Sequence, residues 1–159
     1  MYKPLVATAA LLALLQSLYT AAARVLLRRN IDRYRGGDPE PLLRTFANDV
    51  HFVFPGESSW RADVRGKDSA ERWQRRFLAT GLQLEPEAIS ISGPPWNTSI
   101  ALKFSDHLDA PNGESVYSNE GVIFGKAVWG KVVSYTVYED TQKLPGLDEY
   151  LGESAPTAT

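Results

Sequence analysis

The chain of 159 residues has no cysteine, two histidines, one methionine and almost no net charge. Without cysteine there is no disulfide, no thiolate nucleophile, no thiolate zinc site and no iron–sulfur cluster held by thiolates. Seventeen Lys plus Arg against nineteen Asp plus Glu leave a formal charge of −2. No basic field therefore drives nucleic-acid binding, no nucleic-acid motif is present, and no nucleic-acid partner is expected. The only imidazoles, His51 and His107, lie far apart with no recognised ligand spacing, so no metal is expected even though Asp106 and Asp109 flank His107. What remains is 43% apolar and 11% aromatic, enough for one globular domain with a sizeable core, and no internal repeat divides it.

The longest apolar run is at the start. Leu5 to Ala23 is interrupted only by Thr8, Gln16, Ser17, Tyr19 and Thr20, and is flanked by Lys3 and by Arg24, Arg28 and Arg29. Leu11, Leu12, Leu14, Leu15 and Leu18 leave no clean polar face, so the segment must be buried somewhere. Three destinations stay open: a membrane anchor, a cleaved leader ending at Ala21-Ala22-Ala23, and a helix packed on the domain or a partner. The arginines after the run would hold an anchored domain on the cytoplasmic side, and a cytoplasmic localisation is expected. Gln16 and Ser17 would sit at mid-span, where polar groups are costly. The organisation expected is an apolar helix over 1–23, a domain over 24–151 and a disordered tail over 152–159.

Helical spacing continues through Val25, Leu27, Ile31 and Tyr34 until Gly36-Gly37. Asp38-Pro39 then opens a short helix burying Leu42, Leu43 and Phe46 and ending near Asn48-Asp49. His51 to Phe54 reads as a strand, and 57–67 as loop. Asp68-Ser69-Ala70-Glu71 has the spacing of a capping box for a third helix to about Thr80, with Ala70, Trp73 and Phe77 on one face and Arg72, Arg75 and Arg76 on a solvated one. From Ala88 onward alternating apolar residues predict strands, with hairpins at 109–113 and near 127–130 and all the long strands antiparallel. Three helices followed by a strand meander predict an α+β fold, a curved antiparallel sheet covered on one face by helices.

Several short pieces in this order carry a family resemblance. They are Gly37-Asp38, Ala47-Asn48-Asp49-Val50, Phe54-Pro55-Gly56, Arg65-Gly66-Lys67-Asp68, Gly93-Pro94-Pro95-Trp96, Trp129-Gly130-Lys131-Val132 and Tyr138-Glu139-Asp140-Thr141. Over roughly Val25 to Leu151 the chain resembles the nuclear-transport-factor-2-like (NTF2-like) superfamily, in particular its SnoaL-like and ketosteroid-isomerase-like branch. The resemblance implies a cone-shaped sheet with an internal pocket. It also implies departures: Phe54 stands where ketosteroid isomerases place the carboxylate base, Asn30 where they place a tyrosine donor, and Val137 at the position resembling an epoxide-hydrolase carboxylate.

On the last strand Val133, Tyr135, Val137 and Glu139 share a face that the resemblance makes concave, so Glu139 is a candidate acid or base ringed by Phe52, Phe54 and Trp73. Asp140, of opposite parity, is expected as a cap. On the preceding strand the larger apolar pair Val122 and Phe124 is expected inward, bringing Glu120 with it and leaving Tyr117 and Asn119 on an outer, dimer-forming face. His51 is expected to point away from the cavity, and Trp60, Trp96 and Tyr135 to rim its mouth. The candidate catalytic set is thus Asn30, Glu120 and Glu139, with Phe52, Phe54, Trp60, Trp73, Phe77, Tyr135 and Val137 as substrate-binding walls, and neither metal nor organic cofactor. Two functions remain: a cofactor-independent acid–base enzyme on a small apolar oxygenated compound, and a non-catalytic ligand-binding or interaction domain tethered through its first helix, with contact to a membrane through residues 1–23 and a homodimer among the partners expected.

Overall fold

A computed structural model describes residues 3–152, with side chains from Thr8 onward. Nearly all of the expected tail lies outside the described residues. Lys3–Arg35 is one uninterrupted helix, α1, and the apolar segment makes up its first part. Ala21 to Ala23 are strong helix formers and give the chain no reason to break there. Gln16, Tyr19, Ala23, Leu27, Asn30, Ile31 and Tyr34 recur at helical spacing as the face covered by the domain. Gly36-Gly37 ends the helix, with Gly37 at a φ of 86°.

The short helix α2 spans only Glu40–Leu43, because Phe46 already belongs to strand β1, Phe46–Phe54. The Phe46 ring leans on Tyr135 at 5.3 Å, a tertiary contact that outweighs the local helical spacing. Residues read as loop contain strand β2, Ala62–Arg65, which pairs antiparallel with β1. Helix α3, Lys67–Ala79, starts behind Gly66 without a side-chain cap, so the capping box does not form. Strands β3 (Gln83–Ser92), β4 (Thr98–Asp109), β5 (Ser115–Val128) and β6 (Lys131–Glu139) make the meander. After it a 3-10 turn at Thr141–Lys143, capped by the Asp140 side chain, leads into α4, Leu144–Leu151, which the sequence pattern did not reveal.

The six strands form one sheet in the order β2-β1-β6-β5-β4-β3. The long strands β3 to β6 pair antiparallel as expected and β1 pairs antiparallel with β2, whereas β1 and β6 pair in parallel. Register shifts at Pro86/Ala88, Leu108/Asp109 and Lys126/Ala127 bend the long strands into a trough. Pro86 is tolerated because β3 is the sheet edge. The β5–β6 turn is Trp129-Gly130, both at positive φ (51° and 77°), the conformation a two-residue hairpin demands. The core fills the trough: Phe52, Phe54, Trp60, Phe104, Tyr117, Tyr135 and Val137 are buried between the sheet and α3, with Leu144 and Leu147 of α4 beneath.

Candidate functional site

The interior side chains leave three neighbouring chambers of about 100, 40 and 10 Å³, adjacent ones sharing lining residues. The largest is apolar and lies under α1, between Leu27, Ile31, Leu42, Ile100, Leu102 and Val132. Tyr34, Gln74, Leu84 and Ile123 line both it and the second chamber. Across this boundary the Tyr34 hydroxyl donates to Gln74 Oε1 at 2.7 Å, and Gln74 Nε2 donates to the Tyr135 hydroxyl at 3.0 Å. Burial pushes both phenols well above their ordinary pKa, so they stay neutral hydrogen-bonding groups.

Phe54, Trp73, Phe77 and Glu139 line both the second chamber and the smallest one, which forms the floor with Asp106, Tyr117, Leu144 and Leu147. Phe52 meets Trp73 edge-on at 4.7 Å and stacks on Tyr135 at 4.5 Å, and Trp60 meets Trp73 at 6.0 Å. Of the residues expected as walls, Phe54, Trp60, Trp73, Phe77, Tyr135 and Val137 border the chambers, Phe52 lies behind Trp73 and Tyr135 and borders none, and Trp60 is fully interior and not at a rim. It is fixed from three sides: Nε1 donates to Asp148 Oδ1 at 2.9 Å, its carbonyl accepts from Trp73 Nε1 at 3.0 Å, and the Arg76 guanidinium stacks 4.0 Å above its ring. Trp96 is exposed and packs instead on Trp129.

Two carboxyl groups face this apolar floor. Desolvation first, and then the nearby Asp106 charge, push Glu139 up to about 8, against a hydrogen bond from Tyr117. Desolvation alone raises Asp106, to about 6, while His107 and Lys143 pull the other way. An ionised Asp106 adds its charge to the desolvation that already opposes ionisation of Glu139. Asp106 is buried, and its Oδ1 has no hydrogen-bond partner among the described residues. Asn119, opposite Asp106 in the β4–β5 register, donates to the Tyr117 hydroxyl at 2.9 Å and to the Asp140 carbonyl at 3.1 Å.

The strand parity expected for β5 is therefore reversed. Tyr117, Asn119 and Gly121 point inward, whereas Glu120 is exposed and ion-paired with Lys103 at 3.1 Å, and Phe124 lies outside against Tyr138. Gly121 explains the choice, because the Phe104 ring lies where its side chain would be: a Cβ there would sit 2.6 Å from Phe104 Cζ. Asn30 is buried on α1 but lines none of the chambers; Tyr34, one turn further on, does. His51 points away from the cavity, hydrogen-bonded to Asp63 at 2.7 Å. Asp106, Tyr117, Tyr34 and Gln74 were missed, yet Asp106 left a signal. It continues the inward row Leu102, Phe104, Leu108 as the lone charged member. No cluster of three or more His, Asp or Glu suited to a metal occurs among the described residues.

An antiparallel meander bent over helices, closed at one end by α4 and lined by rings around two carboxyl groups, defines a cone-shaped α+β pocket domain. No protein-family model matches the chain, and no curated protein matches it. Solved structures do. An NTF2-like protein of unknown function from Burkholderia pseudomallei K96243 superposes with a TM-score of 0.63 at 19% identity, covering 77% of this chain and 93% of that one. Bal32a, from a soil-derived mobile gene cassette, gives 0.65 at 16%, covering 82% and 97%. TerC, co-crystallised with polyporic acid, gives 0.63 at 17%, covering 82% and 98%. The fold of this chain is the NTF2-like fold.

Proposed function

We propose that the cone binds a small apolar compound carrying an oxygen function and moves a proton on it without a cofactor, with Glu139 as the acid and Asp106 as the base. The observation that carries this reading is the pair of carboxyl groups on one apolar floor with pKa values pushed to about 8 and about 6. Near neutral pH one of them holds a proton and the other does not, which is the state required to take a proton from carbon and return one to oxygen or a neighbouring carbon. Tyr117 steadies Glu139, and the Tyr34–Gln74–Tyr135 chain offers the ligand its polar contact between the two upper chambers. A chamber of about 100 Å³ suits one small ring or the end of a longer molecule. From TerC the reading takes only that a protein of this fold was co-crystallised with an organic acid.

A second reading, ligand binding without turnover, is favoured by the size of the floor chamber, about 10 Å³, too small to admit more than a reacting atom. Proton exchange separates the two. A panel of monocyclic ketones in D2O, followed by NMR for deuterium at the α-carbon, is expected to show exchange above the buffer rate that falls at least tenfold in Asp106→Asn and Glu139→Gln. Ketones that bind, by saturation-transfer NMR, but exchange no faster than in buffer would establish the second reading instead.

A further inference from the structure

Helix α1 has a second face that the domain does not use. Leu11, Leu15, Leu18, Ala22 and Val25 recur at alternating spacings of four and three, making one stripe, and none belongs to the row that packs on the domain. The four large members are all more than half exposed, as are Leu12, Leu14 and Leu26. The helix is held at Gln16, whose amide donates to the Gly93 carbonyl, and at Tyr19, whose hydroxyl is 2.6 Å from Thr98 Oγ1. Ahead of those contacts Ala9 to Leu15 are exposed on every side. A helix partner would cover one side of this segment, whereas lipid covers all of them.

Charge and aromatic placement point the same way. Arg24, Arg28 and Arg29 follow the apolar stretch and make no ion pair or hydrogen bond among the described residues, while the one acid of α1 is Asp32. Trp96 and Trp129, 58% and 69% exposed, stack 5.8 Å apart in the turns next to the loop that Gln16 and Tyr19 hold. Exposed tryptophan beside an apolar helix and unpaired arginines is the composition of a bilayer interface. The domain contacts decide how the helix engages it. Thr8–Arg35 is long and apolar enough to cross a bilayer, but a span would carry Gln16, Tyr19 and the polar backbone of the loop at 93–98 that they hold into the hydrocarbon, so with those contacts intact the helix lies at the membrane surface.

We propose that α1 and the Trp96–Trp129 pair form a monotopic docking surface for an anionic lipid bilayer, the leucine stripe entering one leaflet and Arg24, Arg28 and Arg29 meeting the headgroups. Flotation of the full chain with phosphatidylcholine vesicles and with phosphatidylcholine/phosphatidylglycerol vesicles tests this. The chain is expected to float with the anionic vesicles and much less with the neutral ones. Replacing the three arginines by glutamate should weaken binding on the order of a hundredfold, about fivefold or more per charge removed. Leu11→Ser, Leu15→Ser and Leu18→Ser together should abolish it with an unchanged thermal melt, since these side chains touch nothing in the domain core. Quenching of tryptophan fluorescence by brominated lipid should fall in Trp96→Phe/Trp129→Phe. Absence of flotation, equal binding to neutral vesicles unaffected by the arginine changes, or a lipid-free dimer dissolved by the leucine changes would each overturn the proposal, the last by assigning the stripe to a second copy of the chain.

Discussion

Raising the pH from 5 to 8 should destabilise this protein, and Glu139 should be the main reason. Its ordinary pKa of 4.5 rises to about 8 in the folded state, chiefly by desolvation. Between those values the folded chain holds a proton that the unfolded chain has released, so the unfolding free energy falls as pH rises. The contribution is fully present below 4.5 and is gone above about 8. One such group changes stability by about 1.4 kcal/mol per pH unit, hence by about 4 kcal/mol across the window as an upper figure. With a urea m-value near 2 kcal/mol/M, the denaturation midpoint should drop by about 1–2 M. Glu139→Gln keeps the shape and an acceptor for the Tyr117 phenol but cannot ionise, so its midpoint should be nearly flat above pH 6, after Asp106 has titrated. The difference between the two proteins cancels contributions from distant groups such as the His51–Asp63 pair. Parallel midpoint curves for wild type and variant would refute a desolvated Glu139, and with it the acid assigned to the floor.

Two further predictions concern the frame of the site. In Gly121→Ala the new methyl would meet Phe104 Cζ and the Tyr138 carbonyl, each at 2.6 Å, and should lower stability by about 1–3 kcal/mol and loosen the floor, read as a lower Tm. Removing the Asp148 carboxylate as Asp148→Ala leaves the Trp60 indole N–H and the Ser59 hydroxyl without their acceptor, and should cost about 2–3 kcal/mol in urea unfolding, most of it recovered in Asp148→Asn; equal stability of all three proteins would show that this clamp is dispensable.

Much of this site was visible in sequence where a single periodicity had no competitor. The buried Phe52 and Phe54 alternate with the half-buried His51 and Val53 in β1, and Trp73 and Phe77 lie one turn apart on α3, so their inward direction follows from local geometry. Glu139 was legible for the same reason, as the last member of the row Val133, Tyr135, Val137. In β5 both parities are plausible lining: one offers Val122 and Phe124, the other Tyr117 and Ile123. There the more apolar row proved a poor guide, because the fit of the Phe104 ring over Gly121, a contact between strands, fixed the face. Helix α4 was hidden by its brevity, since eight residues gain little helical stability alone and fold by burying Leu144 and Leu147 against the floor.

By itself the sequence determined the α+β class, the helix stop at Gly36-Gly37, the two hairpins and the absence of thiolate chemistry, because each depends on residue types or on spacings within a few positions. Tertiary structure alone decided that β1 lies parallel to β6, that Glu120 meets solvent while Asp106 joins Glu139, and that α1 turns one face to the domain and leaves its leucines uncovered. Those outcomes rest on contacts between residues tens of positions apart. Which of two competing faces is buried is settled by the packing of both partners together, and no local pattern contains that information.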